Sequence, residues 1–278
     1  MTTAARVRRH TLCWGTLRHL TLAELIGVAD RNGYAAVTAS AVEHRDEIRE
    51  NAPQLVDLCR ATGVHIACVE PVISPLPGLQ RADEITEQLR VYLDYDADTV
   101  MRCAIALDAR SVNIAHFLGR PHDIDELTSS VNKIGTDAAR HGLVATVEFI
   151  RGTGIATLDD ALHIVTQCGQ ANVRLLIDAW HLAATGSAPD DLDRVPAGLI
   201  HAMQLCDKNG VSTERKAVFS HRQLPGTGSL PVAQLIAAGR RNNPSVDLQV
   251  EVFNDDLRHT MSPDQIAATA HSALDLLS

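Results

Sequence analysis

The sequence predicts an α/β fold, a single (β/α)8 TIM barrel spanning residues 1–278. Eight short apolar runs alternate along the chain with longer segments of helical periodicity. A chain of 278 residues has room for eight such units, and no linker-like change of composition divides it. A doubly wound open sheet is the competing fold, but "CWGTLRHL" after the first run lacks the glycine-rich phosphate turn that such a sheet usually carries.

Each predicted strand is a short aliphatic run, and each is followed by a segment of helical spacing. In chain order the strands are "HTLCWG", "YAAVTAS", "VHIACVE", "SVNIAHF", "LVATVEFI", "VRLLIDAW", "LIHAMQLC" and "LQVEVFN". The first predicted helix, "TLAELIGVADRNG", opens on a threonine cap and closes on glycine. The other helices are predicted near 43–62, 82–108, 123–142, 157–171, 190–195, 231–242 and 262–277.

Composition and charge exclude several classes of partner. A net charge of −9 argues against nucleic-acid binding, which draws on clustered lysine and arginine. No run of about 18 apolar residues occurs, and "MTTAARVRRHTLCWG" lacks the apolar region of a signal peptide, so we expect a cytoplasmic protein without a membrane partner. The six cysteines form no CxxC pair and are expected to be reduced. The sequence is compatible with a homodimer but does not require one.

Four polar side chains occur near the ends of predicted strands five to eight. They are Glu148, Asp178, Gln204 and Glu251. In a barrel of this class the functional groups lie at the carboxyl ends of the strands. Because alternate residues of a strand share a face, an inward Gln204 places Met203 and Leu205 on the helix side. These four side chains are therefore expected to converge at the barrel mouth.

Carboxylates that converge in an apolar surround need a compensating cation. A set of carboxylate and amide oxygens suits a hard ion, so the sequence predicts one divalent metal ion, Mn²⁺ or Mg²⁺ in preference to Zn²⁺. The alternative is that each acid forms an ion pair with a nearby arginine or lysine.

Four further residues are candidates for chemistry or substrate binding. His181 follows Asp178 by three residues and could transfer a proton. His116 and Glu70, at the ends of strands four and three, are candidate substrate-binding residues. Arg222 lies in "DKNGVSTERKAVFSHRQLPGTGSLP", a long segment after strand seven, and could bind a carboxylate or phosphate of the substrate.

The motifs "VEFI", "IDAWH", "MQLCD", "VEVFND" and the "RQLPGTG" of Arg222 to Gly228 resemble the sugar phosphate isomerases and epimerases with the xylose isomerase-like TIM barrel. The resemblance implies that Glu148, Asp178, Gln204 and Glu251 bind the metal. Many members have histidine in place of Gln204 and glutamate in place of Thr227. The glutamine variant resembles the 3-dehydroshikimate dehydratase branch.

The expected activity is that of a metal-dependent isomerase or epimerase on a small polyhydroxylated carbonyl substrate. Its common step is removal of a proton α to the carbonyl through a metal-stabilised enediolate. Glu148 and Glu251 would be the two catalytic bases of this route. The alternative is a dehydratase-like lyase in which His181 transfers the proton. An apurinic endonuclease is disfavoured by the acidic charge, and a non-catalytic barrel by the intact carboxylates.

Overall fold

A closed barrel of eight parallel strands forms the centre of the molecule. The structure, a computed structural model, describes residues 9–208 and 222–278. Each strand pairs with the next one in sequence, and β8 pairs with β1 to close the ring. The strands are Arg9–Leu12 (β1), Tyr34–Ser40 (β2), His65–Val72 (β3), Ser111–Ala115 (β4), Val144–Glu148 (β5), Val173–Asp178 (β6), Ile200–Leu205 (β7) and Asp247–Val250 (β8). The predicted (β/α)8 fold is confirmed.

Helices connect the strands and cover the outside of the barrel. They are Leu22–Asn32 (α1), Arg45–Thr62 (α2), Glu87–Arg90 (α3), Ala97–Ala106 (α4), Ile124–Arg140 (α5), Leu158–Gln167 (α6), Ala179–Ala184 (α7), Val232–Asn242 (α8), Leu257–Thr260 (α9) and Pro263–Leu277 (α10). Short 3₁₀ helices add Trp14–Leu17, Ala82–Glu84, Val91–Leu93 and Pro189–Arg194. No helix in the described ranges is long and apolar enough to cross a membrane.

Local capping explains several helix boundaries. Thr21 accepts a hydrogen bond from the Glu24 amide, and the Glu24 carboxylate accepts one from the Thr21 amide at 2.9 Å. Ser262 and Gln265 form the same reciprocal pair at the start of α10. Gly33, with a φ of 83°, ends α1 in the left-handed conformation that glycine adopts without steric cost. These caps direct the chain back toward the next strand.

Two predicted helices differ from the structure. The segment predicted as one helix over 82–108 is divided, because Asp96 accepts a hydrogen bond from the Thr99 amide at 2.9 Å and starts a new helix there. Before that point, Tyr92 packs with Val42 and Leu118 in a small separate hydrophobic cluster. The helix predicted at 190–195 is a 3₁₀ turn, and α7 instead begins directly after β6. Of the long segment after strand seven, 209–221 lies outside the described residues.

The main hydrophobic core lies between the strands and the helices, whereas the inside of the barrel is polar. Met203 points outward, and its Sδ packs closely against Gly239 of α8. Inside the barrel, Thr11 Oγ1 donates to Asp247 Oδ1 at 2.8 Å, and Gln249 Nε2 donates to Asp247 Oδ2 at 2.8 Å. Such barrels usually fill this space with branched apolar side chains. Polar residues at alternate strand positions therefore mark the inward face of this chain.

Candidate metal centre

Four polar side chains meet at the carboxyl end of the barrel. Glu148 and Asp178 are the last residues of β5 and β6, Gln204 is the next-to-last residue of β7, and Glu251 follows β8 directly. All four are buried, and Asp178 pairs with Gln204 in the register of neighbouring strands. Glu148 and Glu251 line a cavity of about 770 Å³. The strand-end positions predicted from the sequence thus come together at the barrel mouth.

His181 joins this group from the first turn of α7. Its backbone amide donates to Asp178 Oδ1 at 2.9 Å, so Asp178 caps the helix that carries the histidine. Its Nε2 lies 3.6 Å from Glu148 Oε1. One potential ligand atom from each of Glu148, Asp178 and His181 lies within 4.8 Å of the others. These three residues could therefore contact a single ion.

Arg222 enters the site from the segment after β7 and is almost completely buried. Its Nη1 donates to Asp178 Oδ2 at 2.7 Å and to Glu251 Oε2 at 3.2 Å. Asn254 Nδ2 donates to the Arg222 carbonyl at 2.8 Å, and the guanidinium lies 5.3 Å from the ring centre of Phe253. Arg222 lines the cavity, as a substrate-binding residue must, but it also pairs with two of the predicted metal ligands.

Buried negative charge exceeds buried positive charge in this site. Burial, reinforced by the charge of Asp178, raises the pKa of Glu148 to about 8. Burial also raises the pKa of Glu70 to about 7. Burial acts in the same direction on Asp178, but Arg222 and His181 lower its pKa below the ordinary value. One guanidinium balances part of this charge, and the remaining carboxylates require protons or a further cation.

The donor set fits a divalent ion. Gln204 Nε2 points to Glu70 Oε2 at 3.5 Å, while Gln204 Oε1 is buried and has no hydrogen-bond partner among the described residues. A buried amide oxygen without a partner costs free energy, and a cation would satisfy it. The carboxylates around it would lose their mutual repulsion at the same time. The residues present are therefore chemically suited to holding a metal ion.

Glu70 and His116 occupy different environments, although both were predicted to bind substrate. Glu70 lines the cavity and accepts weak 3.5 Å hydrogen bonds from Asn113 and Gln204. His116 is completely buried, and its Nδ1 accepts from the Gly154 amide at 3.1 Å. A Cβ on Gly119 would lie 2.1 Å from the His116 ring. This packing holds together the loops that follow β4 and β5, and His116 is not among the residues that line the described cavity.

Asn113 is a site residue that the sequence analysis missed. Its Nδ2 donates to Glu148 Oε2 at 2.8 Å, and its Oδ1 accepts from Thr146 Oγ1 at 2.8 Å. These contacts fix the orientation of the Glu148 carboxylate. The sequence pattern that could have identified Asn113 is its alternation with Ser111 in β4. Two polar residues on one face of a buried strand need hydrogen-bond partners.

Replacing Gln204 with histidine tests the amide ligand. Because imidazole favours Zn²⁺ more than an amide oxygen does, Gln204→His should raise the affinity for Zn²⁺ relative to Mn²⁺. Competition titrations with the two ions measure this ratio, and Gln167→His at the exposed end of α6 is the control. Equal ratios in Gln204→His and the parent would place Gln204 outside the ligand set.

The raised carboxyl pKa values predict a pH dependence of stability. Glu148 keeps its proton up to about pH 8, whereas its unfolded form ionises near the ordinary value of 4.5, so the metal-free protein should lose stability as pH rises between these limits. Bound Mg²⁺ displaces the proton from Glu148, so the stability of the metal-bound protein should instead rise with pH over this range. The rise in Tm on adding Mg²⁺ should be larger at pH 8 than at pH 5.5. Glu148→Gln should remove most of this difference, and an equal rise at both pH values in the parent would contradict the assignment.

Comparisons with known proteins agree with this architecture. A family model described as "Xylose isomerase-like TIM barrel" matches residues 26–276. The chain is 26% identical over 184 residues to a 3-dehydroshikimate dehydratase of Pseudomonas aeruginosa, a match that covers 65% of this chain and 27% of the relative. It is 22% identical over 186 residues to an inosose isomerase of Halalkalibacterium halodurans, covering 61% of this chain and 64% of the relative. Both relatives extend well beyond the matched part.

Solved structures share the fold at low sequence identity. A fusion protein of a xylose isomerase-like TIM barrel and a 4-hydroxyphenylpyruvate dioxygenase has a TM-score of 0.80 at 19% identity, over 97% of this chain and 42% of that one. The IOLI protein, solved with a zinc atom, has a TM-score of 0.79 at 15% identity, over 96% and 97%. The probable 3-DHS dehydratase AsbF of Bacillus anthracis has a TM-score of 0.73 at 12% identity, over 96% and 98%. With the family match over most of its length, the chain belongs to the xylose isomerase-like TIM barrel family.

Proposed function

We propose that this chain is a divalent-metal-dependent enzyme that removes a proton α to a carbonyl of a small polyhydroxylated substrate. The observation that carries the proposal is the buried cluster of Glu148, Asp178 and His181, together with the buried oxygen of Gln204, which has no hydrogen-bond partner among the described residues. The curated relatives are named as a dehydratase and an isomerase, and proton removal beside a carbonyl is a step that both reactions can share.

The metal would be held by Glu148, Asp178, Gln204 and Glu251, and this oxygen set favours Mn²⁺ or Mg²⁺. Such an ion supplies Lewis-acid polarisation of the carbonyl when bound. Arg222 holds Asp178 and Glu251 in place through its two hydrogen bonds, and it presents positive charge to the cavity. Asn113 fixes the orientation of Glu148.

His181 is the residue best suited to move the proton. Burial lowers its pKa to about 4, so the imidazole is neutral near pH 7 and can accept a proton. Glu251, the second base of an epimerase route, accepts a 3.2 Å hydrogen bond from Arg222, and burial raises its pKa above the ordinary value. A neutral imidazole in this position can act twice in an elimination, first as the base and then as the acid.

In that elimination His181 removes the α proton, and the electrons of the broken C–H bond form a carbon–carbon double bond. The C–O bond at the β carbon breaks, and the leaving hydroxyl takes the proton from the imidazolium to depart as water. No oxidant is required, and His181 returns to its neutral form. We infer a dehydratase-like lyase on this basis.

The cavity suits an anionic polyhydroxylated substrate. Arg18, Arg45 and Arg258 line it together with Arg222, so its wall carries guanidinium groups as well as the carboxylates of the proposed metal site. Guanidinium groups bind carboxylates through paired hydrogen bonds. A hydroxylated oxo-acid such as 3-dehydroshikimate, the compound named in one curated relative, has this chemistry.

Isomerisation or epimerisation is the second candidate. Glu148 and Glu251 both line the cavity and come from β5 and from the end of β8, so they approach a bound substrate from different sides. A pair of carboxylates in this arrangement could remove a proton on one face and return it on the other.

Parallel assays in deuterium oxide test the proposal. The protein is stripped of metal, reloaded with Mn²⁺ or Mg²⁺, and given 3-dehydroshikimate, an inosose or a ketohexose. A metal-dependent conjugated product that absorbs in the ultraviolet is expected from the first compound. Deuterium in recovered substrate or in an isomer, without this product, would favour the second candidate. If neither the conjugated product nor deuterium incorporation is observed, and the parent and Glu148→Gln give the same result, proton abstraction on these substrates is refuted.

A further inference from the structure

We propose that His10, His271 and Asp275 form a second metal site, which binds a transition-metal ion of the zinc class. His10 lies in β1, and His271 and Asp275 lie one helical turn apart on α10. His271 also contacts Gly33, which directly precedes β2, so the group lies at the amino ends of the strands. The candidate metal centre described above lies at the opposite end of the barrel, and this proposal does not depend on the proposed function.

The three side chains of this cluster approach each other closely enough to bind one ion. His10 Nε2 lies 3.0 Å from Asp275 Oδ1, and His271 Nδ1 lies 3.3 Å from Asp275 Oδ2. One ligand atom from each residue lies within 4.8 Å of the others. A tetrahedral zinc ion with bonds of about 2.0–2.2 Å holds its ligand atoms roughly 3.3–3.5 Å apart. The two distances end on different oxygens of Asp275 and are also of hydrogen-bond length, so an ion would take one of these oxygens and replace a proton between the groups with only a small shift of the side chains.

The hydrogen bond between His271 Nε2 and Gly33 makes Nδ1, which faces Asp275, the nitrogen that can bind a metal. Its Nε2 lies 3.3 Å from the Gly33 carbonyl oxygen, and a carbonyl only accepts, so Nε2 carries the hydrogen. In the neutral ring Nδ1 then presents a lone pair to the Asp275 carboxylate. Two lone pairs facing each other at 3.3 Å repel unless a proton or a cation lies between them. Metal-bound histidines commonly donate their other N–H to a backbone carbonyl in this way.

The surroundings hold the two imidazoles in place and leave the carboxylate accessible. His10 and His271 are buried, whereas the Asp275 side chain is 43% exposed. The Tyr34 ring contacts His271 edge-on, at 4.9 Å between ring centres. His10 has a φ of 61°, a strained backbone conformation for a residue with a side chain. An ion could therefore reach preformed ligands from the solvent side.

The composition of the cluster selects the metal. Two imidazole nitrogens and one carboxylate favour Zn²⁺, Co²⁺ or Ni²⁺, in contrast to the oxygen-rich set at the carboxyl end. Arg9 and Arg240 lie near enough to influence the charges of Asp275 and His10. Their positive charge acts equally on all divalent ions, so the choice of metal rests on the imidazole ligands, from which Mg²⁺ gains little. An ion bound here would join the first strand to the last helix, across 265 residues of sequence.

Counting zinc equivalents tests the site. Metal-free protein is titrated with Zn²⁺ by calorimetry, and the parent is expected to bind two ions per chain. His271→Gln and Asp275→Asn should each bind one, at the carboxyl end, while Asp178→Asn should also bind one, at the amino end. His122→Gln is the matched control, because His122 contacts Glu126 one helical turn away at 2.7 Å in a similar pair. The control should bind two.

Thermal stability gives an independent measurement on the same proteins. With Mg²⁺ saturating, added Zn²⁺ should raise the Tm of the parent, the Asp178→Asn variant and the His122→Gln control, but not that of Asp275→Asn. His10→Gln, on a different element, replaces His271→Gln if the latter does not fold. The same zinc count in the parent, His271→Gln and Asp275→Asn would overturn the site. If Asp178→Asn loses activity but still binds the zinc ion at the amino end, the two metal sites are shown to be independent of each other.

Discussion

Asp178→Asn is expected to lower kcat/KM by about 10³-fold, on the scale of removing one preorganised electrostatic group from an active site. Asp178 contributes a buried charge to the proposed metal site and accepts a 2.7 Å hydrogen bond from Arg222. Asparagine keeps the shape and can still accept from the His181 amide at the start of α7, so the helix cap is retained. The variant therefore removes charge while keeping the local backbone.

Elemental analysis and steady-state kinetics on the same preparation measure the effect. The Mg²⁺ or Mn²⁺ bound after dialysis should fall together with activity. Asp160→Asn is the matched control, because Asp160 also accepts hydrogen bonds at a helix start but is only partly buried on α6 and is not among the residues that line the cavity. Asp160→Asn should keep parental metal content and activity. Parental metal content and kcat/KM in Asp178→Asn would refute the metal assignment.

The strand-end residues could be predicted because their signals are local. Glu148, Asp178 and Gln204 each occur in a short apolar run, and a strand alternates its faces with a period of two, so their inward direction follows from neighbours such as Met203. Strand ends at the same edge of a barrel then bring them together. No knowledge of distant contacts is needed for this step.

Other features depend on contacts that local pattern does not specify. Arg222 reaches Asp178 only because the chain returns over the barrel mouth, where Asp207 and Gln223 pair through their backbones. The His116 ring packs closely against glycines of two loops that are distant in sequence. His10 and Asp275 are 265 positions apart, and the sequence gives no sign that they meet. These contacts are decided by tertiary packing.

His181→Ala separates the two candidate reactions. If His181 moves the proton in an elimination, its loss should lower kcat by about 10² to 10⁴-fold, the range of general acid–base catalysis. If Glu148 and Glu251 are the bases of an epimerase, His181 only helps to hold the substrate. Its loss should then raise KM with little change in kcat, since an interaction made equally in ground and transition states affects binding alone.

The pH profile and the metal content make this experiment decisive. Because burial lowers the pKa of His181 to about 4, kcat/KM of the parent should fall on the acid side near that pH, and this limb should disappear in the variant. His181 Nε2 lies 3.6 Å from Glu148 Oε1, so loss of metal in His181→Ala would instead identify the imidazole as a ligand. His163→Ala, at an exposed histidine of α6, controls for the removal of an imidazole. A variant with parental kcat, parental metal content and a raised KM would exclude His181 as the proton-transfer residue and favour the two-carboxylate route.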